Sequence, residues 1–120
     1  MKASARTLAV VLLPLFGLAC GCHSYHIETT VENRTGAAIQ LVEVDYPSAS
    51  FGADSLAAGA DYHYRIQIRG SGEIKVEYTA GGQQAQITGP ALFERQQGRL
   101  EIVLLPAGKA EFHSELSPKP

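Results

Sequence analysis

From Tyr62 to Arg69 the chain alternates without a break: Tyr62, Tyr64, Ile66 and Ile68 on one side, His63, Arg65, Gln67 and Arg69 on the other. A period of two is the mark of a half-buried strand, because successive side chains of extended backbone point to opposite faces. The same period returns along the chain. Tyr25, Ile27, Thr29 and Val31 alternate with His26, Glu28, Thr30 and Glu32; Ile74, Val76 and Tyr78 alternate with Glu73, Lys75, Glu77 and Thr79. Leu100, Ile102 and Leu104 form another apolar row, and weaker strands are expected around Gln84–Thr88 and Ala110–His113. In the strand from Ala38 to Tyr46 the apolar phase switches, from Ile39 and Leu41 to Val42 and Val44, which indicates a bulge or burial on both faces. Turn chemistry separates these rows: Asn33-Arg34-Thr35-Gly36, Gly70-Ser71-Gly72, Gly81-Gly82, Gly89-Pro90 and Pro106-Ala107-Gly108.

About seven short strands and no helical periodicity predict an all-β domain, an antiparallel β-sandwich of immunoglobulin-like type, with a small open β-barrel as the alternative. The expected core is Ile27, Val31, Ile39, Leu41, Val44, Tyr62, Tyr64, Ile66, Ile68, Ile74, Val76, Tyr78, Ile87, Leu100, Ile102 and Leu104. At about 1.5–3 kcal/mol per buried aliphatic side chain, such a core holds a domain of this size without disulfides. The 120 residues, 45% hydrophobic, leave room for one domain and exclude general disorder. A net charge of -2 gives no basic field and argues against nucleic-acid binding.

The N-terminus carries a different signal. Lys2 and Arg6 precede an apolar run of 12 residues, Leu8 to Ala19. As a helix this run reaches only about 18 Å, short of the about 20 apolar residues that span a bilayer. Cations, a short apolar stretch and then small residues describe a secretory signal peptide. Cys20 and Cys22 follow at once, and no other cysteine exists. Separated by one residue, they are poorly placed for a structural disulfide. This opening resembles that of a bacterial lipoprotein precursor, through Gly17-Leu18-Ala19-Cys20 or Ala19-Cys20-Gly21-Cys22. Neither frame has the family's favoured Leu three residues before the cysteine; Gly21 as the following residue favours Cys20. The resemblance implies cleavage, acyl chains (palmitate among them) on the new N-terminal cysteine, and stable membrane anchoring by more than one chain. It divides the chain into a signal peptide at 1–19 (or 1–21), a lipidated linker at 20–24, the β domain at 25–116 and a tail at 117–120. No Asp follows either cysteine, which by the same resemblance favours the periplasmic face of the outer membrane.

Tyr46 to Gly59 lacks either periodicity and is expected as a long loop. Loops of that length in small domains often carry function, and Tyr46, Pro47, Phe51 and Asp54 are its candidate partner contacts. Alternatively, Phe51 and Leu56 pin it over the edge of the core. His23, His26, His63 and His113 are weak candidate metal ligands: no pair has the spacing of a known site, and a solvated strand face is the ordinary explanation of such histidines. Asp45, Asp54 and Asp61 lack calcium-loop spacing. Gly70-Ser71-Gly72 is a turn between strands rather than a nucleophile elbow. No phosphate-binding loop or catalytic motif stands out, and no cofactor is expected. The sequence therefore points to a lipid-anchored envelope protein that is not an enzyme and serves as an interaction or assembly module for an envelope partner. A periplasmic metal or small-ligand binder is the alternative.

Overall fold

The alternating rows become strands in the computed structural model, which describes residues 24–119. The leader, Cys20, Cys22 and His23 lie outside the described residues. Eight strands follow one another: β1 Ile27–Asn33, β2 Ile39–Tyr46, β3 Ala49–Leu56, β4 Asp61–Ile66, β5 Ser71–Ala80, β6 Gln83–Phe93, β7 Gln97–Leu105 and β8 Lys109–Ser117. They form two four-stranded sheets, sheet I in the order β4-β1-β7-β8 and sheet II in the order β3-β2-β5-β6. β3 lies beside β4, and β6 beside β8, without pairing. The fold is thus an open two-sheet sandwich, and the barrel alternative falls because the sheets do not join.

The inward rows supply the core. Ile27, Val31, Ile39, Val44, Ile66, Ile74, Val76, Leu92, Leu100, Ile102 and Leu104 are essentially sealed from solvent. Burial alternates residue by residue in β1 and over most of β5 and β7, as period two demands. Two buried polar side chains fix the ends of strands. Asn33 donates through Nδ2 to the carbonyls of Ala37 (2.8 Å), Leu56 (3.0 Å) and Ala57 (3.1 Å), and its Oδ1 accepts from the Thr35 amide and hydroxyl. Gln96 accepts from the Phe93 amide (3.0 Å) and donates to the Pro118 carbonyl (3.2 Å). Both are satisfied, as burial requires.

Four expectations change. First, there are eight strands rather than about seven, and β1–β7 is a parallel pair in a sandwich expected to be antiparallel. β1 and β2 also sit in different sheets, whereas immunoglobulin constant domains place their first two strands side by side. Alternation assigns each residue a face but says nothing about which strand lies next to which. Second, the expected loop at 46–59 is mostly strand. β3 pairs antiparallel with β2 across a turn at Pro47-Ser48, where Pro47 fixes its own φ and Ser48 adopts φ 87°. Small residues along β3 (Ala49, Ser50, Gly52, Ala53, Ser55) hide its periodicity. Third, β6 continues through Gly89-Pro90 to Phe93. Pro90 is tolerated because β6 is an edge strand and its pairing with β5 shifts register between Glu73 and Lys75. Gly89 is required there, since a Cβ would lie 2.6 Å from Phe112. Fourth, Leu41 is not core: its side chain is 66% exposed, and Tyr64 is 42% exposed. Tyr62 and Ile87 pack at the margin of the core, while Val42, Phe51, Leu56 and Leu92 are buried instead.

Candidate functional site

The β2–β3 hairpin forms one of the two edges of sheet II, opposite β6, and gathers most of the unusual features of the molecule. The phase switch seen at Val42 and Val44 is a bulge: between Gln40 and Glu43, β2 carries one residue more than the facing stretch of β5. The extra residue lets Val42 and Val44 turn inward and pushes Leu41 out. Leu41 holds φ 53°, a left-handed conformation that non-glycine residues seldom adopt. Beside it, Gly52 faces Glu43 across the ladder, and a Cβ there would meet the Val42 carbonyl oxygen at 2.2 Å. Without side-chain bulk at Gly52, the outer surface dips into a recess of about 380 Å³ walled by Leu41, Glu43, Ser50 and Asp54.

The inner side of the same hairpin is aromatic. Phe51 is 6% exposed and stacks on Tyr64 with ring centroids 4.7 Å apart and an interplanar angle of 17°. Tyr62 and Tyr46 approach it at 6.0 and 6.2 Å in tilted arrangements. These rings close the side of the sandwich where β3 meets β4. Burial pushes the Tyr46 hydroxyl pKa up, with a smaller push from Tyr64. Of the four expected contact residues, Asp54 is exposed on β3, Tyr46 and Pro47 are half-buried, and Phe51 is a core residue that anchors the strand. Phe51 and Leu56 thus pin the segment, as the alternative reading has it. Sequence reasoning placed Leu41 in the core and passed over Gly52; the break in phase at Val42 was the available signal for both.

Electrostatics differ sharply between the two sheets. Outside sheet II, Asp45 beside Glu43 raises the Glu43 pKa by charge repulsion, reinforced by a shared hydrogen bond, desolvation and Glu77. Outside sheet I, His63 Nε2 and Arg65 Nε grip the two oxygens of Glu28 at 2.8 and 2.7 Å and hold its pKa below the ordinary value. Arg99 pairs with Glu115, which raises the Arg99 pKa.

The histidines do not converge. His63 also contacts Thr30 Oγ1 at 3.1 Å, His113 lies 3.1 Å from Glu111, and His26 lies 3.5 Å from Ser24. β4 and β8 are opposite edges of sheet I, so about 14 Å separates the backbones carrying His63 and His113 at about 4.8 Å per strand. Among the described residues no three His, Cys, Asp or Glu side chains gather as a metal site. Asp61 is engaged by Arg34 at 3.3 Å, away from Asp45 and Asp54. On the other flank, an apolar groove of about 680 Å³ runs between β6 and β8, lined by Pro90, Ala91, Leu92, Gly98 and Leu116.

No protein-family model matches the chain, and no curated protein matches it. Among solved structures it is similar to an NMR structure of a protein from Eubacterium rectale. The TM-score is 0.53 at 14% identity, over 79% of this chain and 90% of that one. At that identity the likeness is one of fold.

Proposed function

We propose that the chain is a lipid-anchored protein of the bacterial envelope, held through Cys20 (or Cys22) on the periplasmic face of the outer membrane. It is a non-enzymatic module that takes an extended segment of an envelope partner onto the β3 edge. The observation that carries this reading is the character of that edge. Free strand edges are ordinarily blunted with Lys, Pro or a bulge, because their outward N–H and C=O groups accept a further strand. β4 carries His63 and Arg65, β6 contains Pro90 and a register shift, and β8 starts at Lys109 and alternates charged residues. β3, with the sequence ASFGADSL, has none of these devices beyond Asp54. Strand addition supplies main-chain hydrogen bonds, while neighbouring recesses read side chains. The recess at Gly52, exposed Leu41 and half-exposed Tyr64 flank β3 as such reading positions.

The test is in-cell photocrosslinking of the full-length, membrane-anchored protein from position 54 on β3 and, separately, from position 113 on β8. One envelope protein captured from position 54 and not from 113, and lost with Tyr46→Ala, is the expected result. Equal capture from both positions, or none from 54, overturns the edge assignment. Cys20→Ser/Cys22→Ser is expected to release the protein from membranes; a double variant that stays bound overturns the anchor.

A second reading, a binder of small apolar ligands, is favoured by the β6/β8 groove alone, whose volume suits such a molecule. Saturable uptake of an apolar dye, abolished by Ala91→Glu, distinguishes it.

A further inference from the structure

We infer that the end of the sandwich from which β1 starts is a membrane-facing surface, whose cations Arg69, Arg95 and Lys119 rest on anionic lipid headgroups. The inference rests on the lipid-anchor reading and adds an orientation to it. Strand directions define the two ends of the domain. Ile27 pairs with Ile66 and with Gly98, and Gln97 pairs with Ser117. The start of β1, the 67–70 connection, the 94–96 turn and the tail at 118–119 therefore share one end. The opposite end holds the connections at 34–38, 57–60, 81–82 and 106–108.

Charge separates the two ends. Lys2 and Arg6 belong to the leader, so the rest of the chain has eight Lys and Arg against twelve Asp and Glu, an excess of four negative charges. In the connections at the β1-start end the sign reverses: Arg69, Arg95 and Lys119 stand against Glu94, with Glu73 the next carboxylate, two residues inside β5. All three cations are exposed, and none has an ion pair within 4.0 Å among the described residues. Arg69, Arg95 and Glu94 border one shallow recess of about 280 Å³ with Tyr25 and Ile68. At the other end Arg34 is the one cation in the connections, and it is held by Glu32 at 3.0 Å and Asp61 at 3.3 Å.

The tether aims this end at the bilayer. Seven residues lead from Cys20 to Ile27, and even fully extended they reach no more than about 25 Å. Since β1 starts at the cationic end, that end is the one tied down. Three unpaired cations within a Debye length of an anionic surface are each attracted to it, which corresponds to about fivefold in affinity per charge. Docking this way holds the strands upright from the membrane and leaves the β3 edge accessible along its length.

The chain contains no Trp, so one introduced Trp reports its own environment. The experiment uses the acylated full-length protein, reconstituted into vesicles of phosphatidylcholine with or without phosphatidylglycerol, with lipids brominated near the headgroup as quenchers. Gln67→Trp probes the cationic end and Ala58→Trp the opposite end; both positions are exposed. Circular dichroism checks the β signature of each variant, and Ser24→Trp replaces Gln67→Trp where that variant folds poorly. The expected result is severalfold stronger quenching at position 67 than at 58 in anionic vesicles. The difference disappears in neutral vesicles, at about 1 M salt, where the screening length is about 3 Å, and in the Arg69→Glu/Arg95→Glu/Lys119→Glu variant. Equal quenching of both probes in acylated, vesicle-bound protein overturns the orientation and leaves the anchor standing. A purified protein whose mass shows no acyl chain overturns the anchor, and the orientation with it. A preference that survives in neutral vesicles and high salt overturns the role of the three cations and assigns the orientation to the tether.

Discussion

The outer faces of the two sheets are made of similar residues and reach opposite electrostatic states. On sheet I, Arg65, Glu28, Arg99 and Glu115 lie in register across all four strands, so the charges alternate along the row. On sheet II, register sets Glu43 opposite Glu77, with Asp45 two positions along the same face and itself opposite Lys75. One face alternates charge along a whole row, while the other sets two carboxylates against each other with one cation nearby, next to an unprotected strand edge. Cross-strand pairs contribute or subtract according to which charges face each other, so register, and not composition, sets the difference. That contrast marks the β2–β3 hairpin as the part of the molecule with interactions to spare.

The largest expected effect comes from breaking the sheet II edge outright. Gly52→Val drives a Cβ into the Val42 carbonyl and is expected to destabilise the fold by about 3 kcal/mol or more. Gly81→Ala, where φ is 59° but space is open, is expected to lose only about 1 kcal/mol. Urea unfolding compares the two, and similar losses would show that the hairpin is not tightly packed at Gly52.

Next is the aromatic closure beneath the edge. Phe51→Ala is expected to remove about 3 kcal/mol, and Tyr64→Ala about 1 kcal/mol, because its ring is partly exposed and contributes mainly the stack. Both shift the thermal midpoint downward in that order; the reverse order would place the anchor on β4 rather than β3.

Leu41 gives a smaller effect of opposite sign. Its apolar side chain is exposed and its backbone left-handed, so Leu41→Gly is expected to stabilise by up to about 1 kcal/mol. The same variant is expected to weaken crosslinking from position 54. A stabilised variant with undiminished capture would remove Leu41 from the contact surface.

The smallest effects test the two faces directly by pH. The Glu28 pKa is lowered in the fold, so its contribution is present above the ordinary value of 4.5 and fades as pH falls through the folded value. Glu43 is shifted the other way, so its charged form opposes folding, and the opposition sets in as pH rises through the carboxylate range. Glu28→Gln is expected to lower the melting temperature at about pH 7, and Glu43→Gln to raise it; the Glu43 difference vanishes once pH falls below the ordinary carboxylate range, and the Glu28 difference only below its lowered folded value. Two shifts of the same sign would break the comparison between the faces.

Much of this was legible in the chain. The rows at Tyr25–Glu32 and Glu73–Thr79 became the bulk of β1 and β5 with the expected inward residues, because a buried sheet face imposes its period on the sequence, whereas the Tyr62–Arg69 row is strand only to Ile66 and leaves Tyr64 partly exposed. The bulge in β2 was legible as a break in phase, though not which residue it would expel. β3 was not legible: Ala, Ser and Gly give no contrast between faces, and its pairing with β2 alone makes it a strand. Asp54 and Tyr46 are at the site, while Phe51 is underneath it, since an aromatic residue in an aperiodic segment reads the same whether it anchors or protrudes.

By itself the sequence determined the all-β architecture, the inward rows and the composition of each outer face, since these follow from side-chain alternation along a single strand. It also supplied the grounds for expecting a lipid anchor. The tertiary structure alone decided which strands are neighbours, and so the parallel β1–β7 pair, the free edges and the charge pattern across each face. It decided too that Arg69, Arg95 and Lys119 share one end. The physical reason is that alternation is local, whereas pairing brings together residues far apart in the chain and leaves no periodic trace of the partner chosen.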